Sequence, residues 1–243
     1  MMPDDALIRQ VRAALEREPH VDLHHHPIKA RMDHDALVLE GEVGSVAAKK
    51  LALACAAAVP GIAAIIDRLH VEPLERPGDG AVRDRVLANL EQDRALQVSG
   101  LRVLDGNGRG TLVRATPPES NDEIVVRVEE GVVTLSGQVN SLSHKRLAGV
   151  LCWWARGVRD VVNGLEVVPD EADNGAELTD ALRLVLDKDP SVDATQIRAH
   201  AEDDHTVVLE GLVAAEGQRH AAERDAWFVF GVDRVVNRIE VQS

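Results

Sequence analysis

Two glycines held twenty residues apart, three times over, constrain this chain more than any other feature. Leu37-Val38-Leu39-Glu40-Gly41-Glu42-Val43 runs on to Gly61-Ile62 and then Asp67-Arg68-Leu69-His70-Val71. Val132-Val133-Thr134-Leu135-Ser136-Gly137-Gln138-Val139 runs on to Gly157-Val158 and Val161-Val162-Asn163-Gly164-Leu165-Glu166-Val167. Val207-Val208-Leu209-Glu210-Gly211-Leu212-Val213 runs on to Gly231-Val232 and Asn237-Arg238-Ile239-Glu240-Val241. In each copy an Asp or Asn stands six residues beyond the second glycine. Spacing kept so strictly means three copies of one structural unit. A unit of roughly 60 to 75 residues has a thin core, so packing between units adds to its stability. With 45% hydrophobic and only 2% aromatic residues, these cores are built from Val, Leu, Ile and Ala.

The first copy gives the order of elements. Asp4 or Asp5 can cap a helix whose apolar face is Leu7, Ile8, Val11 and Leu15, and Pro19 ends it. Ile28 to Met32 alternates as a half-buried strand, and Asp33-His34-Asp35 turns the chain into the Leu37–Val43 strand. Ser45 can cap a second helix that Pro60-Gly61 breaks, and Ile62 to Val71 is a third strand. The fold class expected is therefore α+β, as three tandem αββαβ domains, each a three-stranded mixed sheet packed against two helices. Pro- and Gly-containing linkers place the domains at 1–73, 79–169 and 174–243. The second contains an insertion at about 98–122, whose composition does not separate a functional loop from a disordered one. Its Gly106-x-Gly108-x-Gly110 is no dinucleotide loop, because no helix start follows it.

An αββαβ unit with Leu-x-Gly, a helix, Gly-Val and a Val-x-Asn-x-Leu-x-Val strand resembles the BON domain, the module of bacterial osmotically inducible periplasmic proteins. The resemblance covers nearly the whole chain outside the linkers and the insertion. It implies a non-enzymatic binding module, stress-related, that associates with phospholipid surfaces, envelope components or protein partners; one relative senses potassium. Asp67 departs from the pattern set by Asn163 and Asn237. The leading expectation is association with a phospholipid surface or envelope component. The alternative is a cytosolic protein-docking scaffold or cation sensor.

Charge limits the partners. The formal net charge is −14, divided as −4 over residues 1–75, −1 over 76–170 and −9 over 171–243. Such a balance argues against nucleic acid and opposes long-range attraction to anionic lipid. There is no 18-residue apolar run and no basic, apolar leader in this chain, so no transmembrane segment is expected and the location expected is cytoplasmic, or periplasmic if a leader was removed.

The motif residues Gly41, Gly137 and Gly211 inside strands suggest a bulge or the close approach of the packed helix. Gly61, Gly157 and Gly231 fit the position that ends a helix, and Asn163 and Asn237 fit a turn or bulge in the third strand. On the second helix, positions 11, 15 and 18 after the strand glycine are small and apolar in every copy and mark its core side. Positions 16 and 17 point elsewhere, and they hold Ala57 and Ala58, Trp153 and Trp154, Trp227 and Phe228; Phe230 follows. These aromatics are the candidate surface. They serve packing between domains, a partner or homodimer interface, or insertion at a membrane surface.

Other constellations are weaker. His24 and His26, in a run of histidines with Asp22 nearby, and Asp203 and Asp204, at the third hairpin turn, are the candidate metal ligands; a solvated loop and turn are the plainer reading. Cys55 and Cys152 read as small buried thiols. No Gly-x-Ser-x-Gly occurs, and Ser141 and Ser143 before His144 read as helix caps, so neither an enzyme nor a cofactor is expected.

Overall fold

The computed structural model describes residues 4–242, which fall into two compact units that divide between Glu72 and Pro73. In the first unit, α1 (Asp4–Leu15) buries Leu7, Val11 and Leu15, with two carboxylates in its first turn where the helix dipole favours them. β1 (Lys29–Asp33) and β2 (Ala36–Val43) form an antiparallel hairpin in which His34 takes the left-handed turn position at φ 55°. α2 (Val46–Ala57) starts where the Ser45 hydroxyl accepts the Ala48 N–H, and β3 (Ala64–Val71) returns parallel to β2. The sheet order is β1-β2-β3. Leu37, Leu39, Val43 and Leu69 meet Val11, Leu15, Ala52 and Ala56 in this unit's own core.

The second unit holds the other two copies. The middle one comprises α3 (Asp79–Gln92), β4 (Gly100–Leu104), β5 (Gly110–Arg114), β6 (Glu123–Glu129), β7 (Val132–Val139), α4 (Leu142–Trp153), β8 (Asp160–Asn163) and β9 (Glu166–Val167). The last comprises α5 (Gly175–Lys188), β10 (Ile197–Ala201), β11 (Thr206–Val213), α6 (Glu216–Phe228) and β12 (Arg234–Val241). One continuous apolar core runs through both, from Val86 and Leu147 to Val185 and Ala222.

Repeats one and three have the expected three-stranded sheets, but the middle sheet is larger. The segment expected as an insertion forms a hairpin, and β4 pairs in parallel with β6, giving the order β5-β4-β6-β7-β8 with β9 also on β7. Its chemistry explains why it is ordered. Leu96 and Leu101 are buried, Arg102 bonds Glu123 at 2.9 Å, and Arg114 donates to the carbonyls of Ser99 and Leu96. Gly106 and Gly108 belong to the β4–β5 turn, where the Asp105 carboxylate accepts the N–H groups of Asn107 and Arg109.

The strand glycines are required for a different reason than a packed helix. A Cβ on Gly137 or Gly211 would lie 2.1 or 2.0 Å from the carbonyl oxygen of Glu123 or Gln196, on the neighbouring strand side. The second correction concerns Gly61, Gly157 and Gly231. The helices stop at Ala57, Trp153 and Phe228, and these glycines close the irregular turn that follows, all at positive φ.

Candidate binding site

The core side of the second helix is as the spacing predicts: Ala52, Ala56 and Val59, then Ala148, Cys152 and Ala155, then Ala222, Ala226 and Val229 are all buried. Against that fixed frame the aromatic positions take their places in the second unit. The rings of Trp153 and Phe228 stack with centroids 5.5 Å apart and planes 13° apart, joining the middle and last repeats. Trp154 donates its indole N–H to Asp225 Oδ1 at 3.0 Å across the same junction. Trp227 is only 5% exposed, and its indole N–H has no acceptor among the described residues. Phe230 is 47% exposed, with Lys145 Nζ 4.9 Å from its ring centroid. Of the five expected aromatic surface residues, then, Trp227 is not on the surface, three line or form a junction, and Phe230 faces solvent.

The junction leaves a groove of about 590 Å³. Trp153, Trp154 and Phe228 line it together with Leu74, Asp189 and Arg224. Concave apolar surface between domains is where ligands and partners bind most often. At its wall lies a charged cluster that spacing alone did not reveal. One Arg224 nitrogen donates to Asp189 Oδ2 at 3.1 Å and to Asp225 Oδ1 at 3.2 Å. Burial and hydrogen bonding to Asp189 push the Asp225 carboxyl up to about 7. Burial works to raise Asp189 as well, but hydrogen bonds from Asp225 and Ser191 and the Arg224 charge outweigh it, so Asp189 lies below the usual carboxylate range. Below about pH 7 the pair therefore shares one proton and carries one negative charge.

A second buried polar contact pins the junction. Arg146 has no exposed surface, donates Nε–H to the Phe230 carbonyl at 3.0 Å, and pairs with Asp173. Lys188 Nζ reaches Asp93 at 2.8 Å. Nothing in the spacing of the sequence marks Arg146, Asp189 or Asp225, because the partners that tie them to other elements lie 27 to 84 residues away.

The remaining expected residues are structural or dispersed. Asn163 and Asn237 tie the third strand to the second helix, donating to the carbonyls of Lys145 and Arg219. Asp67 cannot donate in that way; its carboxylate takes the Leu69 N–H and pairs with Lys49 at 3.0 Å. The histidines do not converge. His25 bonds Asp22, His26 pairs with Glu72, His34 bonds Asp33, and the His24 backbone N–H also goes to Asp22. Asp203 accepts the N–H groups of His205 and Thr206, and Asp204 that of Gly175. Among the described residues no three His, Cys, Asp or Glu side chains could hold a metal ion. Ser141 caps α4 as expected, accepting the His144 N–H. Cys152 is fully buried and Cys55 half-buried, both as free thiols.

Comparison with known proteins follows the same threefold division. The BON-domain family model matches residues 3–73, 110–169 and 174–243. The chain belongs to the BON-domain family. In the middle BON repeat the match begins beyond α3 and β4, where the added hairpin separates α3 from the rest, yet Val82, Val86 and Leu90 of α3 are buried as their counterparts in α1 and α5 are. A search of curated proteins gives no match. Among solved structures the chain is similar to the C-terminal domain of CdsD, a structural protein of the type III secretion system of Chlamydia trachomatis. The identity is 13%, the TM-score 0.25, and all of both chains is covered. A further CdsD structure matches at 14% identity and TM-score 0.25, over 98% of this chain and 92% of that one. No helix among the described residues is long and apolar enough to cross a membrane.

Proposed function

We propose that this BON-domain protein is a non-catalytic docking protein that recognises protein partners through the helical faces of its repeats. The observation that carries this reading is the stack of Trp153 on Phe228, with Trp154 bonded to Asp225. Aromatic groups that would otherwise enter a bilayer are spent on helix-to-helix association between two repeats, which is what these faces do well. Acidic character supports it too, since −14 opposes attraction to anionic lipid.

A second reading, association with a phospholipid surface or envelope component, draws on Phe230. An exposed aromatic ring with a lysine above it suits the boundary between headgroups and acyl chains. Tryptophan emission of the full chain, titrated with neutral and anionic liposomes and checked by co-sedimentation, separates the two. Docking predicts a blue spectrum that does not move and no co-sedimentation. Sedimentation with liposomes that Phe230→Ser removes would carry the lipid reading instead.

A further inference from the structure

The three repeats share one frame, so a surface that is covered in one repeat shows what an equivalent open surface accepts. In the last repeat, the groove between α5 and the end of α6 is filled by the middle repeat. Ala181 and Val185 are buried there, Lys188 takes Asp93, Asp225 takes the Trp154 indole, Phe228 takes the face of Trp153, and the Phe230 carbonyl takes Arg146. The same six positions in the first repeat are Gln10, Ala14, Arg17, Cys55, Ala58 and Pro60, by the register Leu7 to Leu178 and Gly41 to Gly211. All six line an open groove of about 540 Å³ between α1 and the end of α2. Ala14, Cys55, Ala58 and Pro60 stand where the last repeat has the larger Val185, Asp225, Phe228 and Phe230, and the exposed face of α1 adds Arg9 to Arg17 on the rim.

We propose that this groove of the first repeat is a docking site for one amphipathic helix of a partner protein, of the α4 kind. Such a helix ends in adjacent aromatic residues and carries carboxylates toward the rim. The aromatic end fills the volume that Ala14, Ala58 and Pro60 leave. The carboxylates meet Arg9 and Arg17, as Asp93 meets Lys188 in the last repeat. The proposal rests on the docking reading above, but the two fail separately: liposomes decide that reading, and a helical peptide decides this one.

The probe is a peptide of the α4 sequence, residues 141–157, with a hydrocarbon staple joining positions 148 and 152 on the side α4 turns to its own core. A second form carries Lys145→Glu and Arg156→Glu. Both are titrated against the full chain, and alkylation of Cys55 reports occupancy, since Cys55 lines the groove and Cys152 is fully buried. At about ten times the peptide Kd, Cys55 reacts about tenfold more slowly. The acidic form binds more tightly at low salt, and the difference closes as salt rises. Ala58→Phe restores a stacking partner and tightens binding, and Ala14→Arg blocks it with the melting curve unchanged. Unchanged alkylation of Cys55 at saturating peptide would overturn the proposal, as would binding that neither variant alters. A chain that sediments as a dimer with Cys55 already protected would place a second copy in the groove and overturn it equally.

Discussion

The end of the second helix in the first repeat and the same helix end in the other two present one backbone with opposite chemistry. Ala57 and Ala58 stand where Trp153 and Trp154, and Trp227 and Phe228, stand in the second unit. The core positions beneath them are equally small and equally buried in all three repeats. Folding and association are therefore written at different positions of the same helix. Small residues at positions 11, 15 and 18 let the helix lie close on its sheet, and positions 16 and 17 between them supply the aromatic contacts that join the middle and last repeats. The chain has one compact unit with a core of its own and one in which two repeats share a core.

The largest test of that contrast is Arg146→Ala. It removes a fully buried side chain and leaves the Phe230 carbonyl without its donor. The second unit loses about 3 kcal/mol. In a two-step urea melt only the second unit's transition moves; a matching shift in the first would break the comparison. Trp153→Ala comes next, at about 2 kcal/mol, since its ring is partly exposed but stacked. The same melts measure it.

Asp225 sharpens the comparison through pH, because the first repeat has Cys55 at that position. A carboxyl whose folded value is raised to about 7 contributes stability that is complete below the ordinary carboxylate range and is lost as pH rises through 7. Asp189, shifted down, works the opposite way but stays ionised throughout the neutral range. Stability of the second unit falls from about pH 4 to about pH 7 and levels off above it, and Asp225→Asn flattens this dependence and adds about 1 kcal/mol at pH 8. Tm values at several pH settings, for both proteins, show whether this holds. The smallest effect belongs to Ala57→Trp. Aromatic bulk at an exposed position of the first repeat shifts stability by no more than about 0.5 kcal/mol. A larger gain would mean that this helix end is already against another surface.

Much of the architecture was legible from the glycine register, because close backbone approach and tight turns admit few residues. The burial of Ala52, Cys152 and Ala226 was legible for the same kind of reason, a helical period over a repeated motif. The order of the hairpin after Gln97 was not, since its stability comes from Arg102 meeting Glu123 and Arg114 meeting the carbonyls of Leu96 and Ser99, contacts with no local signature. Tryptophans at outward positions were found, but their destination was not. Which surface covers Trp153 depends on where α5 and α6 lie, and no period along α4 contains that. The Asp189–Arg224–Asp225 cluster stayed hidden for the related reason that isolated carboxylates in an acidic chain look like solvated ones.

The strand β4 laid against β6 also bears on solubility. At one register of the hairpin's first strand, the first and last repeats carry Lys29 and Arg198 beside Glu40 and Glu210, while the middle repeat carries Val125 beside Ser136. Free sheet edges are commonly defended by long cations against pairing with other chains, and a covered edge has no such need. A chain shortened by the hairpin would expose an edge that has given up its defence, and the first sign would be fibrils or precipitate rather than a lower melting temperature.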